Sequence, residues 1–339
     1  MRRATMHDVA ARAGVSLKTV SRVINAEPGV SPLLADRVES AVRELGYRHN
    51  LTASNLRRRS QRTASFAVLV QDLSNSYSAA LLRAVDDVAR RCEVVMISAS
   101  LDEEEERERG LVAQLIKRRV DGLILMPATH DQSYLRAEVL AGFAVVTIDR
   151  PPSNLAVDSV LVDNLEGARS ATAHLLERGH ERIALITDDQ RIYTAQQRLQ
   201  GYRAALSDAG VQFDPSLVRT ARTAAAASPA MHDLLGLPDP PTAVFSARND
   251  VTRGVVMALR EAGASSWMAL VGFDDLPMAE VLEPPVTVVE QQTVEVGRRA
   301  AELLLQRLAG SEGPVQNVVL PTRLVQRGSG ELPPRHRPR

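Results

Sequence analysis

A short run near the N-terminus constrains the fold more than any other part of the chain. Its first helix is predicted to begin at Thr5, whose hydroxyl can cap the backbone while Asp8 completes a capping box. Gly14 can adopt the positive φ of a tight turn, and Ser16 can cap a second helix. Ala10 supplies the small side chain needed where two helices cross. The spacing therefore predicts a helix-turn-helix.

A third helix is predicted to follow, capped by Ser31, with Pro32 at its first position and Gly46 as its stop. The apolar residues that can form one small core are Val9, Val15, Val20, Val23, Ile24, Val38, Val42 and Leu45. The opposite face of the second helix carries Leu17, Lys18, Ser21, Arg22 and Asn25. These side chains suit entry into the major groove of DNA. The alternative is an ordinary helical hairpin with a solvated face.

Charge is unevenly distributed, although the chain as a whole is neutral. Residues 1–62 contain 12 Lys or Arg and 5 acidic residues, whereas the rest of the chain contains 29 and 36. Such asymmetry is typical of a polyanion-binding head on an acidic body. A basic segment that is merely soluble is the other interpretation, and charge alone does not decide between them.

From Ala64 onward the pattern changes to apolar strands that alternate with amphipathic helices. Strands are predicted over residues 65–70, 94–98, 122–126, 144–148, 183–187, 243–246, 269–273 and 286–290. Helices are predicted between them, for example over residues 79–90, 165–178, 196–209 and 252–262. The alternation predicts an α/β body of two doubly wound parallel-sheet subdomains that face a cleft.

Several classes of protein are disfavoured. The single cysteine, Cys92, does not allow an intramolecular disulfide and fits a reducing compartment. The sequence shows no secretion signal and no long apolar span, which argues against a solute-binding transport module and favours a cytoplasmic protein. It lacks a phosphate-binding loop and a zinc motif, and His174 and His180 have no ligand partners, so neither an enzyme nor a metal or cofactor site is expected.

The N-terminal run resembles the head of the LacI/GalR repressor family, whose signature is close to Asp-Val-Ala-x-x-Ala-Gly-Val-Ser-x-x-Thr-Val-Ser-Arg-Val-x-Asn. Every fixed position is present between Asp8 and Asn25, and Val30-Ser31 and Leu45-Gly46-Tyr47 match the third helix. The resemblance covers nearly the whole chain. It implies a sequence-specific transcriptional regulator, in the family's usual form a repressor that binds a pseudo-palindromic operator as a homodimer. A small ligand, a sugar or related metabolite, would control that binding allosterically.

The resemblance also implies roles in DNA binding. Leu17 and Lys18 take the positions that read base edges, Ser21 and Arg22 follow them, and Ser16, Thr19 and Asn25 hold phosphates. In this family the linker becomes a hinge helix on operator DNA. Leu56 would be its minor-groove wedge, beside the small Ala53, with Arg57 following the phosphates. A plain core leucine is the alternative for Leu56.

Ligands of open parallel sheets bind outside the carboxyl ends of the strands. Those ends, together with the resemblance, give the candidate effector residues Asn75, Tyr77, Met126, Asp149, Arg198, Asn249, Asp274 and Gln291. Such donors and acceptors suit a polyol, with Tyr77 or Phe273 covering an apolar sugar face. A structural ion pair between Asp149 and Arg150 is the alternative for that position. Arg248 points instead to an anionic ligand, and a nucleobase is a further alternative.

The expected domain organisation has four parts. A helix-turn-helix domain over residues 1–49 is followed by a hinge over 50–62 and an effector-binding and dimerisation domain over 63–330. The last is expected to contain one subdomain of 63–162 with 292–320 and another of 163–291 with 321–330. Residues 331–339 are expected to form a disordered tail. A leucine heptad is lacking, which favours a dimer over a tetramer.

Overall fold

The computed structural model describes residues 4–24, 28–47 and 63–334. The chain separates into two compact units, Met1–Thr63 and Ala64–Arg339. The described part of the first unit contains three helices, α1 (Met6–Ala13), α2 (Leu17–Ile24) and α3 (Pro32–Leu45). Their core consists of Val9, Ala10, Ala13, Val20, Val38 and Ala41, with the other predicted core residues packed against it. The predicted helix-turn-helix is therefore confirmed.

Local interactions explain where these helices begin and end. The Thr5 amide donates to the Asp8 carboxylate at 2.7 Å while the Asp8 amide donates to the Thr5 hydroxyl, so the predicted capping box is present. Gly14 has a φ of 64°, as the turn requires. Arg37 of α3 donates to the Ala13 carbonyl at 2.7 Å, a contact that pattern alone does not reveal.

Two details of the head differ from expectation. The Ser31 side chain makes no capping hydrogen bond; its carbonyl accepts from Leu34 and Ala35, and the fixed φ of Pro32 sets the first turn. Leu17 does not lie wholly on the outer face of α2, because it is half-buried and packs against the head core. It is three residues from Val20 and seven from Ile24, so it shares their stripe of the helix.

The strands of the second unit, in chain order, are β1 (Ser65–Val70), β2 (Val95–Ser100), β3 (Gly122–Leu125), β4 (Ala144–Ile148), β5 (Asp158–Val162), β6 (Ile183–Thr187), β7 (Val218–Thr220), β8 (Ala243–Ser246), β9 (Ala269–Phe273), β10 (Thr287–Gln291), β11 (Asn317–Leu320) and β12 (Thr322–Val325). The helices are α4 (Ser76–Arg91), α5 (Glu105–Lys117), α6 (Arg136–Leu140), α7 (Asn164–Glu177), α8 (Tyr193–Asp208), α9 (Ala224–Leu235), α10 (Asn249–Glu261) and α11 (Thr293–Leu308).

These strands form two six-stranded sheets. The first has the order β11-β5-β4-β3-β1-β2 and the second the order β12-β10-β9-β8-β6-β7. Val68 of β1 pairs with Ser98 on one side and Ile124 on the other, which illustrates the parallel register. The predicted two-sheet α/β architecture is confirmed, with one correction: β12 runs antiparallel to β10 at the edge of the second sheet. An antiparallel edge strand on a parallel sheet is common.

The chain passes between the two sheets three times. It crosses after β5, after β10 and between β11 and β12, where only Pro321 separates the strands of different sheets. In the second subdomain, α7 and α8 pack tightly because Gly201 has no side chain. A Cβ at Gly201 would lie 2.1 Å from the Leu165 carbonyl oxygen. The three crossings place both sheets on one cleft.

Ordered contacts continue into the segment expected to be a disordered tail. The Glu331 carboxylate contacts His174 at 3.0 Å, and the Leu332 carbonyl lies 2.8 Å from Nε2 of His180. Both histidines are buried, so their partners are fixed as well. The expectation was wrong for these two residues, and positions 335–339 lie outside the described residues. Among the residues described, the helices are all too short or too polar to cross a membrane.

Candidate functional site

The first candidate site is the start of α2 in the head. The Thr19 amide donates to the Ser16 hydroxyl at 3.1 Å, so Ser16 caps this helix as predicted. The Ser16 and Thr19 hydroxyls also lie 2.9 Å apart. Lys18 is exposed between them, and Ser21 and Arg22 are partly exposed one turn further on. Polar side chains and a helix N-terminus therefore occupy one surface of the head.

Four of the predicted DNA-binding residues cannot be placed on this surface. Asn25, Ala53, Leu56 and Arg57 lie outside the described residues, so their roles stay predictions.

The second candidate site is the cleft between the two sheets. All eight predicted effector residues line one cavity there: Asn75, Tyr77, Met126, Asp149, Arg198, Asn249, Asp274 and Gln291. The sheet topology explains this, because Met126, Asp149 and Asp274 directly follow β3, β4 and β9, and Gln291 ends β10. Residues that were not predicted also line the cavity, among them Gln71, Glu103, Asp188 and Thr194.

Arg198 is the most highly connected side chain of the cleft. It is buried, its Nε donates to Asn164 at 2.8 Å, and Nη1 donates to the Ala247 carbonyl at 2.6 Å. Its guanidinium lies 3.7 Å from the ring centroid of Phe273. Phe273 is fully buried beneath it, so this ring cannot cover a sugar face as the sequence suggested. The stack instead holds the guanidinium in a fixed orientation.

Two acidic residues are presented by unusual backbone. Asp149 has a φ of 65° and Asp274 a φ of 67°, both in the left-handed region. Aspartate tolerates this region better than most residues, and such conformations concentrate at functional sites. Asp274 accepts a short hydrogen bond from the Gln291 amide and lies 3.8 Å from Arg198. Both carboxylates are thereby held in the cleft at the ends of neighbouring elements.

The two subdomains are joined directly across the cleft by two asparagines. Asn75 caps α4 in the first subdomain, and Asn249 begins α10 in the second. The amide nitrogen of each donates to the side-chain oxygen of the other at 3.0 Å. Asn75 donates further to Asp250 at 3.1 Å, and Asn249 to Ser76 at 3.1 Å. These bonds exist only when the cleft is closed to this extent.

The cavity also contains buried polar atoms that find no hydrogen-bond partner among the described residues. They are the Tyr77 hydroxyl, Oε1 of Gln291 and Nε of Arg150. Burial raises the pKa of Tyr77 well above its ordinary value, and the nearby Asp149 carboxylate adds to this shift. Burial likewise raises the pKa of Asp149, despite the opposing effect of Arg150. The cavity thus offers donors and acceptors that a polar ligand can satisfy.

The arginines of the cavity are paired with acidic residues. Arg150 forms a two-pronged ion pair with Glu103 and donates to the Pro127 carbonyl at 2.7 Å. Its distance to Asp149 is 3.5 Å, so the suggested Asp149–Arg150 pair is the weaker of the two. Arg248 donates to the buried Asp188 at 2.8 Å. Because that charge is already balanced, Arg248 gives no reason to expect an anionic ligand.

Metal binding was also considered. Within the described ranges, His, Cys, Asp and Glu side chains do not gather in groups of three or more that are suited to a metal ion. His180 instead contacts the Thr242 hydroxyl at 2.9 Å, and burial lowers its pKa.

Comparison with known proteins adds to this geometry. Residues 5–50 match the family described as bacterial regulatory proteins, lacI family, and residues 172–330 match the periplasmic binding protein-like domain. The chain is 30% identical to the HTH-type transcriptional repressor CytR of Escherichia coli K12, with 96% of each protein covered. It is 36% identical to the HTH-type transcriptional regulator CelR of Thermobifida fusca, over 97% of this chain and 99% of CelR.

Two solved structures are similar over nearly their full length. A lac repressor dimer bound to operator and the anti-inducer ONPF shares 26% identity, with a TM-score of 0.84, 97% of this chain and 99% of that chain covered. A CelR–cellobiose complex shares 35% identity, with a TM-score of 0.72, 97% of this chain and 100% of that chain covered.

Proposed function

The chain belongs to the LacI family of bacterial regulatory proteins, and from this membership we propose that it represses transcription by binding a pseudo-palindromic operator as a homodimer. It is a DNA-binding transcriptional regulator and not an enzyme. A small neutral polyol in the cleft controls its binding to DNA. One observation carries this proposal: a helix-turn-helix head is joined in a single chain to a closed cleft lined with buried polar groups.

The head reads the operator through α2. Lys18 and the half-buried Leu17 contact base edges, Ser21 and Arg22 follow them, and Ser16 and Thr19 hold phosphates near the helix N-terminus. Asn25 contributes a further phosphate contact, and the hinge over residues 50–62 supplies Ala53, Leu56 and Arg57 to the minor groove. Two-fold symmetry of the dimer requires a two-fold symmetric site.

The charges in the cleft argue for a neutral effector. Three arginines line the cavity, Arg150, Arg198 and Arg248, and each has an acidic neighbour. Four buried or half-buried acids face them: Glu103, Asp149, Asp188 and Asp274. A sugar phosphate would add negative charge to a site where acids already outnumber arginines. Hydroxyl groups, in contrast, can satisfy the unpaired Tyr77 and Gln291 atoms.

A nucleobase is the less favoured effector. Base recognition commonly uses stacking on aromatic rings, and Tyr77 is the one aromatic side chain that the described residues contribute to the cavity lining. The relative CelR was solved with cellobiose, which is consistent with a saccharide in this chain as well.

Coupling between the cleft and the head follows from the three crossings between subdomains. A ligand that changes closure moves the first subdomain, which the hinge joins to the head, relative to the second. A coupling of about 1–3 kcal/mol would change operator affinity by about 5–150-fold. Residues 63–330 serve both effector binding and dimerisation in this proposal. The site of action is the cytoplasm, where the operator is accessible.

Selection of the full chain on a pool of random duplexes tests the DNA-binding proposal. The expected result is enrichment of a two-fold symmetric sequence, and no enrichment at low salt would overturn it. A thermal-shift screen tests the effector class with neutral sugars, sugar phosphates and nucleobases. We expect neutral sugars to raise Tm; a rise with only phosphates or nucleobases would contradict the assignment.

A further inference from the structure

A second, larger chamber adjoins the cavity described above. Its volume is about 490 Å³, compared with about 60 Å³ for the inner cavity. Both subdomains contribute to it, through residues 103–105, 127–130 and 150–153 on one side and 189–196 and 222 on the other. The chamber therefore belongs to the same cleft and opens and closes with it.

The inner cavity and the outer chamber share two residues. Glu103 and Arg150 line both spaces, and their ion pair forms the boundary between them. Nε of Arg150 has no hydrogen-bond partner among the described residues and is available to a ligand at this boundary. A molecule that occupies both spaces must pass along Arg150, which then contacts its middle.

The volumes bear on the size of the effector. Small-molecule sites commonly measure about 300–1,000 Å³, and one water accounts for about 30 Å³ of liquid. The inner cavity is thus far below the usual range, whereas the outer chamber lies within it. A single sugar ring that used only the inner cavity would leave the larger enclosed surface without a role.

The chemistry of the outer chamber suits a second sugar ring. Pro151 and Pro152 face it from the first subdomain and Ile192 and Tyr193 from the second, and these flat or apolar surfaces match the apolar face of a pyranose. Gln196 is exposed at the chamber and supplies amide donors and an acceptor.

The chamber, like the inner cavity, has no surplus of positive charge. Arg191 is paired with Asp189 at 2.7 Å, which lowers the pKa of that carboxyl to about 2. Arg222 lies 3.5 Å from Asp188, and Arg150 is held by Glu103. With its arginines already paired, the chamber offers little to a phosphate or a carboxylate.

We infer that the effector is an extended neutral glycoside of at least two sugar rings, one in the inner cavity and the next in the outer chamber against Pro151, Pro152 and Tyr193. This inference rests on the proposed function, because it concerns the size of the ligand in the same cleft. Arg150 contacts the linkage between the rings, and Gln196 binds hydroxyls of the outer ring.

Calorimetric titration of the full chain with matched sugar series tests this inference. The probes are glucose, cellobiose and cellotriose, then xylose, xylobiose and xylotriose, and then galactose and lactose. In at least one series we expect the disaccharide to bind at least tenfold more tightly than its monosaccharide. Equal affinity for monosaccharide and disaccharide would overturn the inference but leave the proposed sugar effector intact. Binding of none of these sugars would count against both.

Two variants show where the additional affinity arises. Gln196→Ala and Tyr193→Ala should remove most of the disaccharide's advantage and leave monosaccharide affinity within about twofold. Gln200→Ala is the matched control, since Gln200 is an exposed glutamine of the same helix that does not line the chamber. If Gln196→Ala and Gln200→Ala give the same ratio of affinities, the second ring does not bind in this chamber.

Discussion

Asn75 and Asn249 hold the two subdomains together through a pair of reciprocal amide hydrogen bonds, each 3.0 Å long. Both side chains are buried, and each belongs to the first turn of a helix that points into the cleft. A buried pair of this kind is sensitive to small changes, because either partner left alone is an unsatisfied polar group. This pair is therefore the point at which closure of the cleft can be tested directly.

Asn75→Asp should open the cleft. The variant keeps the oxygen that accepts from the Tyr77 amide, but it replaces the donor to Asn249 and places a carboxylate beside Asp250. We expect a loss of about 1–3 kcal/mol in the free energy of unfolding and a larger radius of gyration by X-ray scattering. Asp250→Asn on this background should recover part of the loss. Additive effects of the two changes would argue against a contact across the cleft.

Tyr77→Phe should raise stability and lower effector affinity. Its hydroxyl is buried without a hydrogen-bond partner among the described residues, so its removal relieves an unsatisfied group worth about 1–3 kcal/mol. Tyr202→Phe is the matched control, because the Tyr202 hydroxyl donates to the Ile183 carbonyl at 2.7 Å. That variant should lose about 1 kcal/mol in urea unfolding. Destabilisation by both variants would mean that the Tyr77 hydroxyl already has a partner.

Arg198→Ala should abolish the response to effector while operator binding persists. The change leaves the buried Asp274 and the Ala247 carbonyl without their partner, and a loss of about 3 kcal/mol in stability is expected. Arg203→Ala is the control: Arg203 lies on the same helix, 4.3 Å from the Phe213 ring, but it is exposed and outside the cavity. Fluorescence anisotropy on operator DNA, with and without ligand, measures both properties. An Arg198→Ala protein that still responds would remove Arg198 from the effector site.

Asp149→Asn should change how stability depends on pH. Burial raises the pKa of Asp149, so the folded protein binds this proton more tightly than the unfolded chain does. Wild-type stability then falls as pH rises from the ordinary value of about 4 towards the raised value. Asparagine also tolerates the left-handed backbone, so the variant should gain relative stability across that window and level off above it.

Asp275→Asn provides the control of opposite sign. Arg327 lowers the pKa of Asp275, which therefore contributes stability above the ordinary value that is lost as pH falls through the lowered one. Urea unfolding between pH 3 and pH 7 measures both variants against wild type. Parallel curves for Asp149→Asn and wild type would contradict the assignment of a raised pKa.

How far the sequence predicts the fold depends on burial. Strands buried on both faces appear as unbroken apolar runs, and β1, β4, β6, β8 and β9 have the predicted bounds. Four strands escaped prediction. β11 and β12 are half-exposed edge strands, and β7 has only three residues. β5 begins with two buried polar residues, of which Asp158 is paired with Arg307 far away in sequence.

The candidate site shows the same division. Residues at strand ends were predictable, because parallel strands bring their carboxyl ends to one edge. Pairings over long distances in sequence were not, such as Arg150 with Glu103 and Arg198 with the Ala247 carbonyl. These depend on which side chains the fold brings together. The outer chamber was also missed, since Pro151, Tyr193 and Gln196 carry no sequence motif.

Lys18→Ala should weaken operator binding and relax its specificity. Lys18 is exposed at the start of α2, beside the Ser16 cap, where a side chain can reach the base edges of the major groove. Loss of one base contact costs about 1–3 kcal/mol, or roughly tenfold in affinity and upwards, and the preference for one base pair in each half-site should disappear. Arg43→Ala is the control, because Arg43 is an equally exposed cation of the head on α3. Anisotropy titrations against the selected operator and its single-base variants separate the outcomes. If Lys18→Ala weakens binding to every sequence alike, Lys18 contacts phosphate and base reading must come from other residues of α2.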